Sequence, residues 1–102
     1  MAYRLTWSPE AVEDVESIAV YIARDSSFYA QSVVNKILEV SRNIQEYPFM
    51  GRVVPEFNSV AIRERLVYSY RLVYQITGQK ILVVAVIHGK RLLQNVEERF
   101  EE

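Results

Sequence analysis

Between Glu56 and Arg91 the chain collects most of the side chains able to do chemistry: Glu56, Arg63, Arg65, Tyr68, Tyr70, Arg71, His88, Lys90 and Arg91. Arginine presents a planar, permanently charged fork that matches the paired oxygens of a phosphate or a carboxylate. His88 closes an apolar run at a position where it could titrate near neutrality and act as a general acid or base. Glu56, directly after Pro55, is a candidate base if its segment folds over the cations. Tyr68 and Tyr70 add flat faces suited to stacking against a partner. Each has a plainer reading as well. The arginines could protect a sheet edge with Glu64 as counter-ion, His88 could bond a backbone carbonyl, and Glu56 could be a solvated loop carboxylate. With one histidine and no cysteine, neither thiolate chemistry nor a zinc site is expected, and no cofactor is implied.

The charge is distributed unevenly. The net charge of −1 hides four basic against seven acidic side chains in residues 1–50, seven against two in residues 51–91, and one against four in residues 92–102. The single positive block is the one that carries the candidate site. Such local charge fits a partner offering a limited number of anionic groups, whereas a general nucleic-acid binder is basic throughout.

The elements that must hold these residues follow from periodicity. Ala2–Trp7 alternates, with Tyr3, Leu5 and Trp7 on one side, and predicts a strand. Ser8-Pro9-Glu10 is a helix start, with a serine cap, proline in the first turn and carboxylates near the positive end of the dipole. Val12, Val15, Ile18, Ala19 and Ile22 predict its buried stripe. Asp25-Ser26-Ser27 caps a second helix with Ala30, Val33, Val34, Ile37, Leu38, Ser41 and Ile44 inward, ending near Glu46 before Tyr47-Pro48. So short a connection predicts an antiparallel helical hairpin. Residues 48–60 read as a loop, with Gly51 a positive-φ turn residue.

Three strands then follow at Ala61–Leu66, Arg71–Ile76 and Ile81–His88, joined near Val67–Tyr70 and by the Thr77-Gly78-Gln79-Lys80 hairpin. The last, apolar on both faces, belongs inside the sheet. Tyr3, Tyr21 and Tyr74 fall on expected core faces. Leu92, Leu93 and Val96 begin a short helical tail. The result is one α+β domain over residues 1–102, ordered β-α-α-β-β-β, with a small antiparallel sheet and the hairpin on one face. No secretory leader or membrane span is expected, which fits a cytoplasmic protein with no membrane partner.

These features, taken together and in order, resemble the RelE/ParE superfamily of toxins from bacterial type II toxin–antitoxin systems. The resemblance rests on the Ser8-Pro9-Glu10-Ala11 helix start, the helical hairpin and Tyr47-Pro48-Phe49-Met50-Gly51-Arg52. It continues through the arginine strand, Tyr70-Arg71-Leu72-Val73-Tyr74 and Val86-Ile87-His88-Gly89-Lys90-Arg91. It spans nearly the whole chain. It implies a small, adjacently encoded RelB- or ParD-like antitoxin that folds on binding, with operator DNA contacted only through that antitoxin.

The resemblance also implies two alternative targets. RelE-like members cut mRNA within the ribosome without a metal, using a base, an acid and cations. Arg65 and Arg71 match that branch's arginines, Glu56 matches the carboxylate of its YoeB-like members, and His88 lies one residue from their histidine. Against it, no tyrosine follows Arg91. ParE-like members inhibit DNA gyrase by binding, and the Ile87-His88-x-x-Arg91 ending and near-neutral charge favour that branch. For it the expected contact residues are Arg63, Arg65, Tyr68, Tyr70, Arg71, Lys90 and Arg91. A degenerate toxin that only binds its antitoxin is a third alternative.

Overall fold

The computed structural model describes residues 3–91 and 93–101. The predicted contributions of Ala2, Leu92 and Glu102 lie outside the described residues. Strand β1 (Arg4–Trp7) leads into helices α1 (Pro9–Ala23) and α2 (Ser27–Glu46). A 3₁₀ turn (Pro48–Met50) then precedes strands β2 (Arg52–Val53), β3 (Ile62–Val67), β4 (Tyr70–Thr77) and β5 (Lys80–His88). The chain closes with a 3₁₀ helix over Leu93–Arg99. Among the described residues no helix is long and apolar enough to cross a membrane.

The helix starts form as their sequences dictate. Ser8 Oγ accepts from the Ala11 N–H at 3.1 Å and Ser26 Oγ from the Tyr29 N–H at 3.0 Å, so each serine satisfies a donor that the first turn leaves open. Both buried stripes are narrower than predicted. Ala11, Val15, Ile18 and Ile22 carry the α1 contact, which turns the neighbouring Val12 outward. In α2 Val40 is buried, while Leu38 is exposed on the far side. Tyr21, expected in the core, is 68% exposed.

The α+β fold class is as expected, with two additions. Arg52–Val53, inside the predicted loop, forms a fifth strand on β3, and β1 runs parallel to β5, making the sheet mixed with order β1-β5-β4-β3-β2. The parallel pair is possible because the whole helical hairpin intervenes between its members. One face of the sheet packs on the helices through Leu72, Tyr74, Ile76, Ile81, Val83 and Val86. The other face carries Val73, Val84, Ala85 and Ile87, covered by Val54, Leu93 and Val96 with Phe57 and Phe100 alongside.

Strand β5 does not alternate evenly. Val73 pairs with Ala85 and Tyr74 with Val83, so Val84 is an extra residue, a β-bulge. Val84 and Ala85 both sit on the tail-covered side, and the parity of every later residue is reversed. Beyond Val83 the β1 neighbour has ended. There the Val86 N–H donates to Asp14 Oδ2 at 3.0 Å, and Arg99 Nη1 donates to the same oxygen at 2.7 Å and to the Val84 carbonyl at 2.9 Å. Asp14, on the second turn of α1, thus ties the bulged stretch to the tail.

Gly51 is also not the positive-φ residue expected. Its φ is −67°. Glycine is required there by space, because a Cβ would collide with the Tyr74 hydroxyl, which donates to the Pro48 carbonyl at 2.5 Å.

Candidate functional site

The β3–β4 pairing decides how the arginines are presented. Arg65 pairs with Leu72 and Leu66 with Arg71, so Arg65 and Arg71 are one residue pair apart, as the predicted hairpin requires. Directly paired residues share a face. Arg65 therefore lies with Leu72 on the helix side, and Arg71 lies with Val73 on the other. The two guanidinium groups are separated by the thickness of the sheet.

On the helix side, Arg65 Nη1 donates to Asn43 Oδ1 at 2.7 Å. It lines a cleft of about 570 Å³ with Lys36, Glu39, Val40, Arg42, Asn43 and Glu46 of α2. Asn43 holds the fork in one orientation, so Arg65 is a preoriented and accessible cation. Arg63 shares this side but is engaged locally: it donates to the Val60, Phe49 and Gly51 carbonyls at 2.9–3.0 Å and lies over the Phe49 ring at 5.1 Å. Its guanidinium braces the segment between α2 and β3.

On the opposite side, Arg71 is buried, and its three donor nitrogens are all taken. Nε donates to Glu64 Oε1 at 2.6 Å, while Nη1 and Nη2 donate to the two Glu56 oxygens at 2.9 and 3.0 Å. Glu64 is itself buried and also receives Arg52. The hydrogen bonds from Arg71 hold the Glu56 carboxyl below the usual glutamate range, more than its partial burial raises it. The same Glu56 bonds, with those from Glu64, keep Arg71 more firmly protonated than a free arginine, against the opposing effect of burial. Glu64, which the sequence offers only as an edge counter-ion, is the buried centre of a four-residue network with Arg52, Arg71 and Glu56.

His88 lies with neither. Because the bulge reverses parity, its ring faces the helix side, stacked edge-on to Tyr70 with centroids 5.9 Å apart. Nδ1 accepts from the Lys90 N–H at 3.2 Å, which in the neutral ring leaves the proton on Nε2. Lys90 and Arg91 are exposed in the following turn, whose Arg91 N–H closes on the His88 carbonyl at 2.9 Å. Thus Glu56 and Arg71 come together, and His88 and Arg65 do not join them. Among the described residues no three His, Cys, Asp or Glu side chains are grouped to hold a metal ion.

Around His88 the fold builds a surface that sequence reasoning found only in part. Tyr21, Tyr29, Tyr68 and Tyr70 wall a cleft of about 370 Å³ with His88, and a neighbouring cleft of about 390 Å³ shares Tyr21, Tyr70 and His88 and adds Arg91. Burial raises the Tyr70 phenol above its ordinary pKa, with Tyr29 and Tyr21 adding to the effect. Tyr68 occupies the two-residue turn at φ +55° and still exposes its ring, 6.4 Å from that of Tyr29. A bulky side chain in the left-handed region costs about 1–2 kcal/mol, and such strain tends to be kept where a side chain is needed. Tyr68→Asn is therefore expected to raise stability by about 0.5–1 kcal/mol, because asparagine tolerates that conformation. Urea unfolding would measure it, and a loss of stability would mean that ring contacts outweigh the backbone strain.

The profile for the ParE toxin of the type II toxin–antitoxin system parDE matches residues 5–93. Comparison with curated protein sequences gives no significant match. Among solved structures, the chromosomal ParDE system of P. aeruginosa superposes with a TM-score of 0.70 at 18% identity, covering 84% of this chain and 95% of that one. The toxin–antitoxin complex RelBE2 of Mycobacterium tuberculosis gives 0.60 at 16% identity, covering 86% and 99%. The YoeB–YefM complex of Staphylococcus aureus gives 0.56 at 19% identity, covering 84% and 95%. At these identities the structural likeness is one of fold.

Proposed function

The chain belongs to the ParE toxin family of type II toxin–antitoxin systems, and from that premise we propose that it acts by binding rather than by cleavage, inhibiting DNA gyrase in the cytoplasm. The observation that carries this reading is the separation of the acid–base candidates. General acid–base cleavage needs a base, an acid and stabilising cations within reach of one phosphate. Glu56 is bonded to Arg71 on the tail-covered side of the sheet, whereas His88 stacks on Tyr70 on the helix side. A binding toxin has no such requirement. It can use the accessible Arg65 cleft and the tyrosine-walled surface with Lys90 and Arg91 as separate contacts to a protein.

In this reading a small ParD-like antitoxin, encoded beside the toxin, neutralises it and supplies any contact with operator DNA. The pair then serves plasmid stabilisation or a stress response. The alternative, a ribosome-dependent endoribonuclease using Arg65, Arg71, Glu56 and His88, draws its support from the contact between Glu56 and Arg71, two of the residues that match the RelE/YoeB-like branch.

The decisive test runs two assays in parallel: gyrase-catalysed supercoiling, and mRNA cleavage on programmed ribosomes. Inhibition of supercoiling without cleavage is expected; ribosome-dependent cleavage would overturn the proposal. Arg65→Ala should weaken gyrase inhibition by about tenfold, the loss of one charged interface hydrogen bond, with little change in stability. Arg65 loses only its Asn43 contact at a partly open position. Full inhibition by this variant would remove the Arg65 cleft from the interface.

A further inference from the structure

The two carboxylates on Arg71 are held very differently. Glu64 takes the inner edge of the fork from the middle of β3; its side chain is 1% exposed and is locked by Arg52 as well. Glu56 takes the outer edge through both terminal nitrogens, yet its side chain is 42% exposed and rides on a turn. That turn is held by Val54 accepting from the Phe57 and Asn58 N–H groups, and Asn58 adopts φ +49°. Glu64 cannot leave without unfolding β3, whereas Glu56 can swing away by a rearrangement of one turn. Its departure leaves Arg52 and Arg71 facing Glu64 alone, with one positive charge uncompensated and the outer edge of the Arg71 fork without an anion, while Nη2 stays 2.6 Å from Glu64 Oε1. Leu66, the cross-strand partner of Arg71 on the same face, is 68% exposed. A group arriving at the fork therefore meets an apolar neighbour, which suits a polypeptide better than a phosphodiester backbone.

Resting on the reading that this toxin works by binding protein, we propose that the Arg71 fork is an exchangeable carboxylate site, occupied in the free chain by Glu56 and taken over by an acidic side chain of a protein partner. Glu56 is then an internal competitor. Its removal raises affinity, the opposite of what removing a contact residue does.

The test uses the full chain, a short fluorescently labelled poly-glutamate peptide and a labelled single-stranded oligonucleotide of matched charge, with binding followed by the anisotropy of the label. If Glu56 fills the fork about nine-tenths of the time, Glu56→Gln should bind the peptide about tenfold more tightly than the parent chain. Arg71→Lys, which keeps the charge but not the fork, should abolish that gain when combined with Glu56→Gln. Unchanged or weaker peptide binding by Glu56→Gln would overturn the proposal and make Glu56 a brace. A gain that survives Arg71→Lys, or one seen only with the oligonucleotide, would overturn it as well. No gyrase is present in this measurement, so its failure is distinguishable from failure of the gyrase reading.

Discussion

Glu64→Ala is expected to lower stability by about 3–5 kcal/mol, a large share of what holds a domain of this size together. The carboxylate is buried in β3 and accepts from both Arg52 and Arg71. Removing it leaves the Arg71 guanidinium buried with only the loop-borne Glu56 to face. A cation stranded in that way loses far more than the net worth of the pair, because its water does not return. Urea unfolding with the native slope retained would measure the effect, and a loss below about 1 kcal/mol would show that the network relaxes to admit water. The same geometry implies that Arg71→Ala disturbs the fold, so Arg65→Ala is the cleaner probe of the cationic surface.

Gly51→Ala should cost about 2–3 kcal/mol, and here a second substitution identifies the cause. The methyl group would meet the Tyr74 hydroxyl and, at 3.0 Å, the Glu64 carbonyl. Tyr74 is fully buried and its hydroxyl is anchored on Pro48, so it has no room to retreat. Tyr74→Phe alone should cost about 1–2 kcal/mol by orphaning the Pro48 carbonyl. Together the two should cost less than their sum, since the phenylalanine vacates the volume that the methyl needs. Strict additivity in denaturant unfolding would show that Gly51 is required for some reason other than the hydroxyl.

Much of the architecture was legible because it is written locally. The serine caps, the proline in the first turn and the Tyr47-Pro48 stop act within a few residues, and the structure places both helices where those signals put them. The apolar run of β5 announced a strand covered on both faces. What could not be read depends on register. Arg52–Val53 has no alternation of its own and becomes a strand only because β3 offers an edge. Val12, Leu38 and Tyr21 belong to plausible stripes, but the stripe in use is set by what the helix touches. At the candidate site, the Arg65–Arg71 neighbourhood followed from the hairpin, while their opposite faces followed from its register. Nothing local to Glu64 marks it as the centre of a buried network.

The positive block between two negative ones, the helical hairpin, the interior strand and the identity of the chemically capable residues are properties of the sequence by itself. Tertiary structure alone decided which of those residues meet. One extra residue at Val84 turns His88 toward Tyr70 and away from Glu56, and one register places Arg71 between two carboxylates while leaving Arg65 half-buried in a cleft on the other face. The physical reason is that a strand alternates with period two, so a shift of one residue exchanges faces with almost no change in local preference. Which parity is adopted is fixed by side chains distant in sequence: the helices packed on Ile81, Val83 and Val86, and Asp14 receiving the Val86 N–H beside the bulge.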